Sequence, residues 1–323
     1  MFLALILHII RACFAEASAS PRSGGPLSYA ARDCSVVIPS TGRASLHNAV
    51  ADALAQTSVN VEVIVVLNNA EDDTWSHPDS RVRVIRAGDS GSNAARQIGI
   101  RAARCAYIAL LDDDDRWAPQ KLQLQFAVAE DHDLLTTEDW VISCGVEKLR
   151  GSAVELWPRR FDAEVLDVPR YLFRRDSWRS ARHQLQSSTL FFPKALALAV
   201  PFDASVKIHM DWDWLIKVRN LRDARILILD RHLVRYEQLA QGITSRSRAA
   251  LSVAWADQVL RSRPREHGDF LVLFSARFPM LQGDLSGSRR VISQARTTSA
   301  PSLRAQLIAR ANLLRAASRK RRL

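Results

Sequence analysis

The sequence predicts an α/β protein in which a mixed, mainly parallel central sheet is flanked by helices and followed by a helical C-terminal region. Three observations carry that prediction. Between residues 34 and 111, short apolar runs alternate with helix-period segments in the order strand, helix, strand, strand, helix, strand. Three of the apolar runs stop abruptly in polar clusters. From Arg246 onward helical signals dominate, and basic residues thicken toward the end of the chain.

The first ten residues, MFLALILHII, are too short to span a bilayer and lack the positive n-region of a secretory signal, although the following AEASAS resembles a cleavage region. A signal peptide, an interfacial N-terminus and an over-extended start all remain open for residues 1 to 31. Residues 21 to 33, rich in Pro, Gly, Ser and Arg, form a linker into the first strand, CSVVI, which is expected to end at Pro39. After the turn STGR, the apolar positions Leu46, Val50, Ala53 and Leu54 share one helical face. VEVIVVL is a second buried strand ending in Asn68 and Asn69, and Arg81 to Arg86 a third, less buried because arginines alternate through it. A helix through Ala94, Ala95, Ile98 and Ala102 leads to the strand before the acidic run. Further on, residues 133 to 157 hold one or two strands, 167 to 182 a helix and loop, 186 to 192 and 226 to 229 a strand each, and 211 to 220 a helix. These divide the chain into an extension (1–31), an α/β domain (32–245) and an arginine-rich helical region (246–323).

The whole is organised around YIALLDDDDRWAPQK, residues 107 to 121. A wholly apolar strand runs into Asp112, Asp113, Asp114 and Asp115, and four adjacent carboxylates repel one another. Aspartate oxygens suit a hard divalent ion, Mg²⁺ or Mn²⁺, which commonly also holds a phosphate. A solvated acidic turn capping the helix near Pro119 is the plainer alternative. In mainly parallel sheets ligands bind beyond the carboxyl ends of strands. Pro39 to Arg43, Asn68 to Asn69 and Asp112 to Asp115 should therefore converge on one edge.

The formal net charge of +11 over 323 residues points to an anionic partner such as nucleotide phosphate, nucleic acid or an acidic membrane face. The four cysteines, Cys13, Cys34, Cys105 and Cys144, form no CxxC pair. Neither a zinc site nor a disulfide framework is signalled, and a reducing, cytoplasmic compartment is the simpler expectation.

Taken in order, VVIPSTGR, EVIVVLNN, SGSNAARQIGIRAARCAYIALLDDDDRWAPQKLQLQ, SSTLFF and MDWDWLIKV resemble the nucleotide-sugar-dependent glycosyltransferases of family 2, over roughly residues 34 to 245. The resemblance implies a GT-A, Rossmann-like fold and an inverting transferase that moves a sugar from a nucleotide-diphospho-sugar donor to a hydroxyl acceptor, a glycan or lipid-linked glycan. In that family the acids after the strand are the DXD motif. Carried over, Asp114 lies closest to the divalent metal, while Asp112 and Asp113 border the nucleotide or sugar. Pro39, Thr41 and Arg43 would border the nucleoside, and Arg96, in NAAR, the donor. Asn68 stands where the family commonly has a carboxylate that accepts from a uracil N–H; an amide accepts without charge, which leaves the base open. The base that deprotonates the acceptor maps to Asp211 of MDWDW, with Asp213 as its competitor and Met210 in place of a usual first acid. Trp212 and Trp214 are either core or sugar-stacking residues. Arg246 or Arg248, after a variable stretch, would reach the diphosphate.

Other classes fit less well. A nucleotidyltransferase would carry a longer glycine-rich basic loop after the first strand than STGR. A nucleic-acid-binding protein finds support in the charge alone and no aromatic RNA motif, and no GxGxxG follows a strand as a dehydrogenase requires. The last segment, from Pro301, carries basic residues at 304, 310, 315 and 319 to 322 without an acid, beside Leu303, Leu307, Ile308 and Leu314. That composition suits either a helix at the inner face of an anionic membrane or a terminal helix docked on the catalytic domain.

Overall fold

In the computed structural model, residues 32–68, 74–150, 153–174, 184–237 and 245–320 are described. The first half builds β1 (Asp33–Ser40), α1 (Leu46–Leu54), β2 (Asn60–Leu67), β3 (Val82–Arg86), α2 (Ser92–Ala102), β4 (Tyr107–Leu110), β5 (Asp115–Trp117) and α3 (Lys121–Asp131). The second half adds β6 (Trp140–Arg150), β7 (Ala153–Trp157), α4 (Val168–Phe173), β8 (Phe191–Pro193), α5 (Lys194–Ala199), α6 (Met210–Arg222) and β9 (Arg225–Glu237). All nine strands join one sheet in the order β3, β2, β1, β4, β8, β6, β9, β5, with β7 added to β6. The β3-β2-β1-β4 half is parallel, whereas β8 lies antiparallel to both β4 and β6.

The sheet is buried on both faces, and side-chain alternation sorts one strand into two cores. Val37, Ile64, Val66, Ile108 and Leu110 face a core completed by α2, α6 and helices from the C-terminal region. Val36, Ile38, Val63, Val65 and Leu111 face the opposite core, covered by α1 and α3 through Leu46, Val50, Leu122 and Phe126. At Gly99 the helix α2 comes so close to the sheet that an added Cβ would sit 2.4 Å from Val37 Cγ1.

Several boundaries differ from those expected. Pro39 does not end the first strand: β1 runs to Ser40, and Pro39 still pairs with Val66 of β2. Because the β4 ladder reaches only Val37 on the other side, the missing N–H of Pro39 costs no pairing there. The following helix begins at Leu46 with Ser45 at its N-cap, so Thr41 does not cap it. The acidic run is not merely a turn before a helix, since Asp115 opens β5, antiparallel to β9. β9 is far longer than residues 226 to 229, because its second half pairs with β6 and β5 and buries Leu233 and Val234 between charged neighbours. Beyond Arg174, part of the expected loop lies outside the described residues.

The C-terminal helices are α7 (Ser245–Val259), α8 (Pro264–Phe270), α9 (Arg277–Leu281), α10 (Leu285–Thr298) and α11 (Leu303–Lys320). A π-type turn, Leu271–Ser275, joins α8 to the segment before α9. These helices share a core with α2 and α6 through Trp255, Phe270, Leu271, Ile292, Ala305 and Ala309. Among the described residues no helix is long and apolar enough to cross a membrane.

Candidate functional site

The three polar strand ends converge. At the edge of β1 and β2, the Asn68 N–H donates to the Ser40 carbonyl at 2.8 Å. The Ser40 hydroxyl reaches across to Asp113 at 2.5 Å, and Arg43 bridges Asp113 at 3.1 Å and Asp114 at 3.2 Å. Asn68 is buried, while Thr41 is exposed and Pro39 lies in the strand below them.

Successive residues of the acidic run turn to different sides, which separates four similar carboxylates by environment. Asp113 has a side chain only 3% exposed and taken up by Ser40 and Arg43, so it is turned inward from the cleft where a donor-facing residue would stand. Asp115 is buried, with one oxygen accepting from Ser188 and from Gln186 at 3.1 Å and the other, Oδ1, without a hydrogen-bond partner. Asp112 and Asp114 keep side chains 33% and 27% exposed. Burial raises the carboxyls of Asp113, Asp114 and Asp115 above the ordinary range, most strongly at Asp115; the charge of Asp112 adds to it at all three.

Arg96 ties this strand end to α6. Its guanidinium is 4% exposed, donates to Asp112 at 2.7 Å and stands 3.5 Å from Asp211. Burial opposes its charge, yet the two carboxylates outweigh burial and its pKa is raised. α6 begins after His209, whose positive φ of 56° turns the chain so that Asp211 points back at the sheet. Asp211 accepts from the Ser187 N–H at 3.1 Å and the Ser187 hydroxyl at 2.5 Å. Its carboxyl is raised by burial, and Arg96 pulls it down in part.

Asp211, Asp112, Asp115, Gln186, His209 and Trp212 are among the residues lining a cavity of about 260 Å³. Asp213 points elsewhere: it is 4% exposed, paired with Lys217 at 2.8 Å and accepting from the Trp255 indole at 3.1 Å. Trp214 is a core residue stacked on Phe202 at 4.6 Å, whereas Trp212 stacks on His209 at the cavity wall. The stretch before α7 and the Arg246 side chain lie outside the described residues; Arg248 is half-buried at the start of α7.

The sequence reading had no role for the short turn Ser187–Thr189. Ser188 accepts from the Asp112 N–H at 3.0 Å and donates to Asp115, while Ser187 holds Asp211. The signal was a polar QSST run opening an apolar strand, but spacing alone could not say which carboxylates it meets.

Among the described residues no group of three His, Cys, Asp or Glu side chains is gathered closely enough to hold a metal alone. A hard ion at Asp112 and Asp114 would need its remaining ligands from a diphosphate and water, which is the usual habit of Mg²⁺. These two partly exposed oxygen donors, crowded by further acids, fit that role.

Residues 35–190 match the family described as Glycosyl transferase family 2. An uncharacterised glycosyltransferase of Rickettsia prowazekii is 27% identical over 194 residues, 57% of this chain and 57% of that one. The Escherichia coli protein WfaP, a UDP-Glc:alpha-D-GlcNAc-diphosphoundecaprenol beta-1,3-glucosyltransferase, is 34% identical over 91 residues, 27% of this chain and 36% of its own. The chain thus spans less than two thirds of the length of either relative. The crystal structure of Staphylococcus aureus TarS 1-349 in complex with UDP-GlcNAc superposes with a TM-score of 0.56 at 17% identity, covering 83% of this chain and 92% of that one. Over residues 35–190 the chain matches family 2 glycosyltransferases, and its sheet and helices have the GT-A type of fold.

Proposed function

We propose that the protein is an inverting glycosyltransferase that moves a sugar from a nucleotide-diphospho-sugar to a hydroxyl acceptor in glycan synthesis. The observation that carries this reading is the constellation in which the buried Arg96 joins Asp112, on one strand end, to Asp211 on a helix start, with Asp114 partly exposed beside Asp112 in the same run. The acceptor hydroxyl enters the cavity beside Asp211, which takes its proton as the oxygen attacks the anomeric carbon. The bond from that carbon to the diphosphate breaks on the opposite face, which inverts the centre. Arg96 favours the charged form of Asp211 that a base requires, against the effect of burial, and Ser187 fixes its orientation. A divalent ion, Mg²⁺ or Mn²⁺, held by Asp114 with Asp112 would neutralise the charge that grows on the leaving diphosphate. Arg43, half-exposed and resting on Asp113 and Asp114, is free to turn toward a phosphate.

The donor and acceptor classes lean on relatives. TarS was crystallised with UDP-GlcNAc, which favours a uridine donor despite the amide at Asn68. The acceptor named for WfaP favours a lipid-linked glycan here, and hence work at the cytoplasmic face of a membrane. The test is to incubate the full chain with a panel of UDP-, GDP- and dTDP-sugars, with Mn²⁺, Mg²⁺ or chelator, and to score nucleoside diphosphate release. Release from one donor class that chelator abolishes is expected. Absence of both release and binding across the panel would refute the reading.

A further inference from the structure

We propose that the outward face of α11, formed by Leu303, Leu307 and Leu314 and flanked by Arg310 and Arg315, is a docking surface for an anionic lipid bilayer. The helix is held to the protein by its small residues. Ala305 and Ala309 are 0% and 1% exposed in the shared core, and the buried Asp269 carboxylate accepts from the Ser302 N–H at 2.6 Å and hydroxyl at 2.9 Å. Three of its five large apolar side chains face the other way, with Leu303 72%, Leu307 42% and Leu314 66% exposed, while Leu313 packs partly against the core. A helix whose outer side meets only water gains more by burying leucine than alanine, because leucine removes more apolar surface. This helix leaves three of its leucines outside.

With about 100° between residues, the three leucines fall within roughly 40° of one another, so they form a stripe and not scattered exposures. Charge selects the occupant. From Pro301 onward the chain has basic residues at 304, 310, 315 and 319 to 322 and no acid, and Arg310 and Arg315 are exposed beside the stripe. A second copy would press one basic segment against another, and like charges repel. An anionic leaflet attracts them, and arginines at the border of an interfacial helix bury their stems while their heads stay at the headgroups. The surface deepens the proposed reading, since a lipid-linked acceptor would be met where the enzyme is held.

The test is sedimentation of the full chain with phosphatidylcholine vesicles, with and without phosphatidylglycerol, at physiological salt. No nucleotide sugar is present, so the result stands whether or not the transferase reading does. Wild type should sediment with the anionic vesicles only. The triple variant L303S/L307S/L314S should bind about tenfold more weakly or less, with an unchanged melting temperature because these side chains are exposed. R310E/R315E should also weaken binding and flatten its salt dependence. Deleting the helix is a poorer probe, because it would uncover the seat of Ala305 and Ala309 in the core. Equal binding of wild type and triple variant, or no binding by either, would overturn the proposal. So would a dimer in sedimentation equilibrium that the triple variant dissolves while vesicle binding stays absent.

Discussion

Asp211→Asn and Asp213→Asn should separate chemistry from packing within a single helical turn. Two positions apart on a helix, the carboxylates point roughly 200° away from each other. Asp211 reaches the cavity, Ser187 and Arg96, whereas Asp213 is tied to Lys217 and Trp255. The Asp211 carboxyl is raised in the folded protein, so its contribution to stability is full below its unfolded pKa and lost as pH rises through the folded value. A neutral amide there should therefore change stability by no more than about 1 kcal/mol at neutral pH. It cannot accept a proton, and transfer should fall by about 10²- to 10⁴-fold with donor binding retained. At Asp213 the amide keeps an acceptor for the indole but loses the charged bond to Lys217. Such bonds contribute about 1.5–3 kcal/mol, and the 35% exposure of Lys217 screens this one, so the loss should be about 1–2 kcal/mol with the turnover number unchanged. Urea unfolding and initial rates on the same preparations read both quantities. An inactive, stable Asp213→Asn beside an active Asp211→Asn would refute the assignment.

Asp114→Ala should abolish metal-dependent donor binding in calorimetric titration while leaving the unfolding transition in place, because the side chain lies outside both cores; unchanged affinity with Mn²⁺ present would count against it as the metal ligand. Arg96→Met removes the charge that lowers the Asp211 carboxyl, so that carboxyl should rise further and the acid limb of kcat/KM should move to higher pH; a uniform loss at every pH would instead make Arg96 a donor-binding residue alone. Gly99→Ala should destabilise by about 1–3 kcal/mol in urea without altering KM, since the new Cβ meets Val37 and Val66 where α2 rests on the sheet.

The order of strands and helices up to the acidic run was legible in the chain, because runs such as VEVIVVL admit one burial pattern and a parallel sheet needs its crossovers. So was the convergence of Ser40 to Arg43, Asn68 and the aspartates, which follows from parallel strands ending at one edge. The short strand at Asp115 and the second half of β9 were not legible, since they pair with strands distant in the chain, with each other and β9 with β6 as well, and neither has an apolar run of its own.

Where each aspartate points was decided by tertiary structure. Four identical side chains in a row carry no information about direction. The backbone after β4 turns Asp113 toward Ser40 and Asp115 toward Ser188, and leaves Asp112 and Asp114 accessible. The choice between Asp211 and Asp213 likewise rests on partners 24 to 42 residues away, Ser187 and Trp255, that local pattern cannot pair. In the last helix the composition announced leucine and arginine, but which face is seated was set by the surface that receives it. That surface accepts Ala305, Ala309 and part of Leu313, and Leu303, Leu307 and Leu314 are left outside.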